Sequence, residues 1–285
     1  MRSEVMPTRR ELLGEATSAL AAAGVSEPRR EALRIWSGLR GSPPADVFLD
    51  GEAGAEPALA DAVRTAVRRR AAGEPLAHVT GRIGFRHLHL KSDRRALIPR
   101  PETEGLVDLL LARVRTGRAA DIGTGSGCLA LSLATEGGFE GVTALDISAD
   151  ALALAEENRA TAGARVHLVR GDLCGPLGAG ALDAVVSNPP YLTAGEYAAL
   201  DPSVKRWEPA AALVSGSDGL QATSRLLHDA RAVLRAGGWL ALEVDCTRAA
   251  AAAALAGALG WTDVAIHADL FGRERYLLAR RSADT

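Results

Sequence analysis

The chain has 285 residues, 47% hydrophobic and only 4% aromatic, a length that suits two domains and a composition able to fill their cores. Its 33 basic and 35 acidic residues leave a net charge of −2, which excludes the global positive field that drives nonspecific nucleic-acid binding. Cys128, Cys174 and Cys246 show neither CxxC nor Cys/His spacing, which argues against a zinc site or a disulfide framework and for a reducing, cytoplasmic compartment.

Met1 to Val5 lack a long apolar core, and no apolar run approaches the ~20 residues of a membrane span, so neither a signal peptide nor membrane contact is expected. From Thr8 to Gly73 apolar residues recur at helical spacing: Leu12, Leu13, Ala16 and Leu20, then Ala32, Leu33, Ile35, Trp36 and Leu39, then Leu59, Val63 and Val67. Thr8 ahead of Glu11 fits a capping box, and Gly24, Gly41 and Gly73 read as helix stops. A helical bundle over 1–74 is predicted, either shielding the rest of the chain or docking a substrate. The basic run Arg68 to Arg70 ends the third stripe, where cations favour a helix C-terminus, and reads as a solvated face. Over 75–99, Leu76, His78, Val79, Phe85, Leu88 and Leu90 alternate with polar residues across Gly81 and Gly84, which predicts a β-hairpin linker. The stretch Ile98 to Glu104 cannot turn helical before Pro101. A proline in the first turn, with Glu102 and Glu104 at the positive end of the helix, is sound local chemistry.

Beyond residue 100, strands and acids alternate. Ala119 to Ile122 reads as a strand containing Asp121, followed by Gly123, Thr124, Gly125, Ser126 and Gly127 and then a helix from Cys128. A glycine-rich turn between strand and helix lets a ligand approach the backbone and leaves helix amides free to bind it, and GxGxG differs from the dinucleotide pattern GxGxxG. Val142 to Asp146 gives a second strand, ending in an acid placed to accept from ribose hydroxyls. Val166 to Val169, followed by Gly171, Asp172 and Leu173, gives a third strand tip. The apolar strand Ala184 to Val186 must stop at Asn188, Pro189, Pro190 and Tyr191, since consecutive prolines cannot donate to a ladder. A residue before proline is held extended, so Asn188 sits on a stiff backbone at a strand tip. Its carboxamide oxygen and the Pro189 carbonyl can accept both hydrogens of an NH2 group, while Tyr191 offers a flat face; the pattern suits a planar amide or amine. Trp239 to Val244, Val264 to His267 and Tyr276 to Ala279 read as later strands, the last two an antiparallel hairpin at one sheet edge, and the alanine-rich stretch 249–258 reads as a helix. The six histidines are scattered and yield no general base; Glu243, at a strand tip, is a weaker catalytic candidate.

This order of strands, acids and NPPY resembles the class I S-adenosylmethionine (AdoMet) methyltransferases. With Gly73 to Gly81, Leu97 to Glu104, Asp121 to Gly127, Asn188 to Tyr191, Glu208-Pro209, Asp218 to Leu220 and Gly272 to Arg275 added, the chain resembles the release-factor glutamine methyltransferases, the PrmC/HemK family of protein-(glutamine-N5) methyltransferases. The resemblance implies an α/β, Rossmann-like methyltransferase domain over 100–285 with a seven-stranded, mostly parallel sheet. A hairpin linker over 75–99 would join it to an N-terminal helical substrate-docking domain over 1–74. AdoMet is the implied methyl donor and the glutamine of the GGQ loop of peptide chain release factors the implied acceptor. Gly123, Thr124, Gly125, Ser126 and Gly127 would embrace the methionine and ribose portion of AdoMet, Asp146 its ribose diol, and Asp172 and Leu173 its adenine. Asn188, Pro189, Pro190 and Tyr191 would hold the glutamine, with Asn188 adjoining the cofactor as well and Asn188, Pro189 and Tyr191 carrying the catalysis. The chain departs from its relatives at Leu173, where some carry an aromatic, at His87, where glycine is usual, and across Leu242 to Thr247. NPPY is shared with adenine-N6 methyltransferases of DNA and RNA, a rival that expects a basic cleft; a noncatalytic AdoMet-binding subunit would have no need of Asn188 and the glycines. A monomer needing neither metal nor direct nucleic-acid contact is expected.

Overall fold

The computed structural model describes residues 6–41 and 51–283 and divides into two compact units, Met1–Arg82 and Ile83–Thr285. The first unit packs helices α1 (Arg9–Ala22), α2 (Pro28–Arg40), α3 (Pro57–Ala71) and the short α4 (Leu76–Thr80) around Leu12, Leu20, Ile35, Trp36 and Val63. The capping box forms: Thr8 Oγ1 accepts from the Glu11 amide at 3.2 Å and Glu11 Oε2 accepts from the Thr8 amide at 2.8 Å. A Cβ at Gly38 would lie 2.8 Å from Thr80, so glycine there lets α2 and α4 approach closely. Residues 76–80 are helical where strand alternation predicted one arm of a hairpin. Ala77, His78 and Val79 are buried in succession, which a strand with one covered face cannot achieve but a helical turn can. Gly81, at φ +70°, ends the turn, and strand pairing is confined to β1 (Arg82–Phe85) and β2 (Leu88–Lys91).

The second unit holds a seven-stranded sheet built from β3 (Thr116–Ile122), β4 (Gly138–Asp146), β5 (Val166–Arg170), β6 (Leu182–Ser187), β7 (Leu234–Glu243), β8 (Trp261–Ala268) and β9 (Glu274–Arg281), in the order β5-β4-β3-β6-β7-β9-β8. The first five run parallel, whereas β9 pairs antiparallel with both β7 and β8, giving the predicted edge hairpin. The central strands are buried on both faces, and their period-two alternation sorts side chains into two cores. Ala119, Val142, Ala144, Ala184 and Val186 meet α5 (Glu104–Leu111) and α6 (Cys128–Glu136) on one face. Ala120, Ile122, Leu145, Val185 and Leu242 meet α10 (Gln221–Val233) and α11 (Ala249–Ala258) on the other. Between β4 and β5 runs α7 (Ala149–Ala162); between β6 and α10 lie α8 (Ala194–Ala199) and α9 (Pro202–Trp207). The order in which strands are added reverses between β3 and β6: from β3 the chain moves outward through β4 to β5, then returns to β6 on the other side. This topological switch opens a crevice beyond the carboxyl ends of the strands. No helix among the described residues is long and apolar enough to cross a membrane.

Candidate active site

The crevice contains a cavity of about 320 Å³ whose wall is built from strand tips. Gly123, Thr124, Gly125 and Ser126 line it after β3, Asp146 after β4, Asp172 and Leu173 after β5, and Asn188 and Pro190 after β6. Nine of the twelve predicted site residues, Pro190 of the acceptor group among them, therefore converge on one space although their positions span more than sixty residues of sequence. Gly127, Pro189 and Tyr191 do not line it: Gly127 caps α6, and Tyr191 lies half-buried near Glu243.

The cradle is a backbone device. Gly123, Gly125 and Gly127 have φ of +71°, +56° and +86°, the left-handed region that favours glycine. A Cβ at Gly123 would meet no protein atom within 4 Å, so the main chain there is open to a ligand. Asp146 fixes the loop from β4: its carboxylate accepts from the Gly125 amide and the Ser148 amide, both at 2.9 Å. Asp121, fully buried beneath the loop, accepts through Oδ2 from Thr124 Oγ1 at 2.6 Å and from the Ala130 amide at 3.0 Å, while its Oδ1 has no partner among the described residues. Burial pushes the Asp121 carboxyl up to about 7; those two hydrogen bonds oppose the rise and nearby Asp146 adds to it. Asn158 on α7 holds the same loop from behind, donating to the Ser126 carbonyl at 2.9 Å while its Oδ1 accepts from the Lys91 amide of β2 at 2.6 Å. Burial also pushes the Cys128 thiol up to about 12, so it stays protonated and unreactive.

Asn188 is held by side chains instead. Its Nδ2 donates to Thr103 Oγ1 at 3.1 Å, and the Thr103 hydroxyl donates to Glu243 Oε2 at 2.7 Å. Thr103 and Glu243 are 2% and 1% exposed, so the relay runs through the interior. Burial raises the Glu243 carboxyl above its ordinary value, against the pull of the Thr103 hydrogen bond and of Arg275, whose guanidinium lies 3.7 Å away. The Tyr191 phenol is pushed up to about 12, first by burial and then by the Glu243 charge, and stays neutral.

Much of the remaining wall, including Arg95 to Arg100, Thr103, Ala211 and Ala212, was not legible as site residues. Its segment at Ile98 to Arg100 is clasped by Glu208, whose buried carboxylate accepts from the Ile98 amide at 3.1 Å and from Arg100 at 2.6 Å. Arg225 of α10 also lines the cavity and pairs with Asp172 at 2.7 Å. The stretch Leu97 to Glu104 stood out in sequence, but its local chemistry pointed only to a helix start, and nothing local distinguishes Arg225.

Among known proteins, residues 11–81 match the PrmC N-terminal domain and residues 101–202 match the Methyltransferase small domain. The release factor glutamine methyltransferase of Deinococcus radiodurans is 41% identical over 276 residues, covering 96% of this chain and 98% of that protein. That of Moorella thermoacetica is 42% identical over 282 residues, covering 96% and 99%. Among solved structures, a methyltransferase from Pyrococcus furiosus superposes with a TM-score of 0.53 at 22% identity, covering 69% of this chain and 90% of that one, a likeness of fold. Full-length identity at this level, with a methyltransferase sheet beneath a glycine cradle and an NPPY strand tip, carries one conclusion: the chain belongs to the release factor glutamine methyltransferase family.

Proposed function

We propose that this protein transfers the methyl group of AdoMet to the side-chain nitrogen N5 of the glutamine in the GGQ loop of peptide chain release factors, in the cytoplasm. One observation carries the reading: the open cradle after β3 and the carboxamide after β6 face the same cavity, so a donor on one and an amide on the other would meet. The cradle suits AdoMet. Its backbone at Gly123 is open to a ligand, and Asp146, engaged by the Gly125 and Ser148 amides, retains lone pairs for a diol. Asp172 and Leu173 lie at the next strand tip for the adenine.

AdoMet, when bound, supplies a methyl group on a positively charged sulfur, already activated for transfer. An amide nitrogen is a weak nucleophile because its lone pair is shared with the carbonyl. Asn188 Oδ1 and the Pro189 carbonyl accept its two N–H bonds and favour the form in which nitrogen becomes positive as the C–N bond forms and the C–S bond breaks. Such preorganised acceptors are worth about 3 kcal/mol each. Tyr191 packs its neutral ring against the planar amide, and the surplus proton leaves to solvent after transfer. The segment through residue 74 docks the release factor and 75–99 links it to the catalytic part.

Labelled AdoMet, purified release factor and this protein form the test. Asn188→Ala is expected to lose transfer by at least ~100-fold while keeping AdoMet affinity within a few fold. A release factor carrying alanine in place of the GGQ glutamine should take up no label. Label entering duplex DNA but not the release factor would favour the adenine reading.

A further inference from the structure

We propose that Thr103 and Glu243 are positioning residues that dictate which end of the Asn188 carboxamide faces the acceptor; the inference rests on the glutamine-transfer reading above. A carboxamide has two ends of similar shape and opposite hydrogen-bonding character, and only the oxygen end can accept from a substrate N–H. Nothing in a strand tip or in the prolines that follow chooses between the ends. The buried relay does. The Thr103 hydroxyl has one hydrogen, and the Glu243 carboxylate, which accepts only, takes it at 2.7 Å. Thr103 Oγ1 is then left as an acceptor, so the group 3.1 Å from it must be the NH2 of Asn188. The Asn188 oxygen is thereby turned away from Thr103 and towards the substrate.

Each member is separately supported. Glu243 terminates β7, Thr103 closes the 3-10 turn Pro101–Thr103, and Asn188 follows β6, so the relay ties three elements at one end of the sheet. Arg275 of β9, 3.7 Å from Oε1 and itself anchored by Asp269 at 2.9 Å, favours the accepting carboxylate form of Glu243, against burial and the charge of Glu102. Glu102, next to Thr103, is drawn elsewhere, with its side chain 3.2 Å from Arg273 and its carbonyl accepting from the Tyr276 hydroxyl. Glu243 touches no cavity wall, so its part in the chemistry runs through Thr103.

The test compares Thr103→Val, Thr103→Ser and Glu243→Gln in the full chain. Thr103→Val keeps the shape and removes the hydroxyl; Glu243→Gln supplies an NH2 that can donate to Thr103 and so allows the relay to run backwards. Both should lower kcat by ~10- to 100-fold with AdoMet affinity and KM for the release factor changed less than about threefold, and Thr103→Ser should restore the rate. The Asn188 side-chain amide signals in a 1H–15N spectrum, assigned by their loss in Asn188→Ala, should shift in Thr103→Val and return in Thr103→Ser. Unmoved amide signals, or Thr103→Val turning over at the parental rate, overturn the proposal. A parental protein that leaves the release factor unlabelled overturns the functional reading instead, and the amide signals then decide the positioning role alone. If Thr103→Val does not fold, Glu243→Gln against Thr103→Ser makes the same comparison.

Discussion

The two halves of the site are built on different principles. The donor half is local at its centre: Asp121, Thr124 and Ala130, which shape the glycine cradle, lie within nine residues of one another and the loop's glycines set its conformation, while Asp146 and Asn158 brace it from 21 and 32 residues away. The acceptor half is assembled from afar: Thr103 is 85 residues from Asn188 and 140 from Glu243. Each half buries one carboxyl group whose proton affinity burial raises. A local device can survive small shifts of the sheet, since its parts move together. A relay across three elements holds its geometry only while the packing between them does.

The largest effect expected concerns the buried acid of the donor half. The Asp121 carboxyl stands near 7 in the folded chain against about 4 unfolded, so burial favours its neutral form. Its contribution is fully present below the unfolded value and is lost as pH rises through about 7, some 4 kcal/mol in all. Asp121→Asn keeps an oxygen for Thr124 and Ala130 but cannot ionise. Urea denaturation without AdoMet should therefore show the parent losing stability relative to the variant between pH 4 and pH 7.5, by about 4 kcal/mol. Parallel stability profiles for the two proteins would mean that the cradle carries no such burden.

Gly125→Val tests how local the donor half is. At φ +56° a β-branched residue is strained by roughly 1–2 kcal/mol, and the nearest atom to an added Cβ, on Ala96, is 3.8 Å away, so the conformation rather than a clash is the obstacle. With the amide that faces Asp146 displaced as well, AdoMet affinity should fall by ~100-fold, about 3 kcal/mol by calorimetry. The Asn188 amide signals should stay where they are. Movement of those signals would show the halves to be coupled and would break the comparison.

Legibility in the sequence follows the same division. Strand tips, glycine loop and the NPPY stop were readable because each depends on a few adjacent residues: prolines end β6, and positive φ selects the glycines. The edge hairpin followed from the spacing of apolar runs, whereas the mostly parallel sheet was an implication of the family resemblance. The helix at Leu76–Thr80 escaped because its apolar residues also satisfy a short alternation, and only burial of three in succession separates the two. Thr103 looked like part of a helix start and Glu243 like a weak catalytic acid, since no local pattern says that a threonine will meet a glutamate 140 residues on. Arg225 and the wall at 95–100 were hidden for the same reason, their partners Asp172 and Glu208 lying 53 and 108 to 110 residues away.

Glu208 offers the smallest of the expected effects and the sharpest look at long-range assembly. Its side chain is 2% exposed and accepts from a main-chain amide at Ile98 and from the guanidinium of Arg100, which is 38% exposed. Removing the carboxylate in Glu208→Ala leaves the Ile98 amide without its acceptor, while Arg100 can recover part of its loss by turning to water. The expected cost is about 2 kcal/mol, below that of breaking a fully buried pair. Because Ile98 and Arg100 line the cavity, the lost stability should be matched by weaker AdoMet binding, about tenfold, while Glu208→Gln, which keeps an acceptor for the amide, should recover most of both. Chemical denaturation and calorimetry on the same three proteins check the pairing. Stability lost with AdoMet affinity unchanged would make Glu208 a fastener of the fold alone, and the wall at 95–100 would then hold its shape without it.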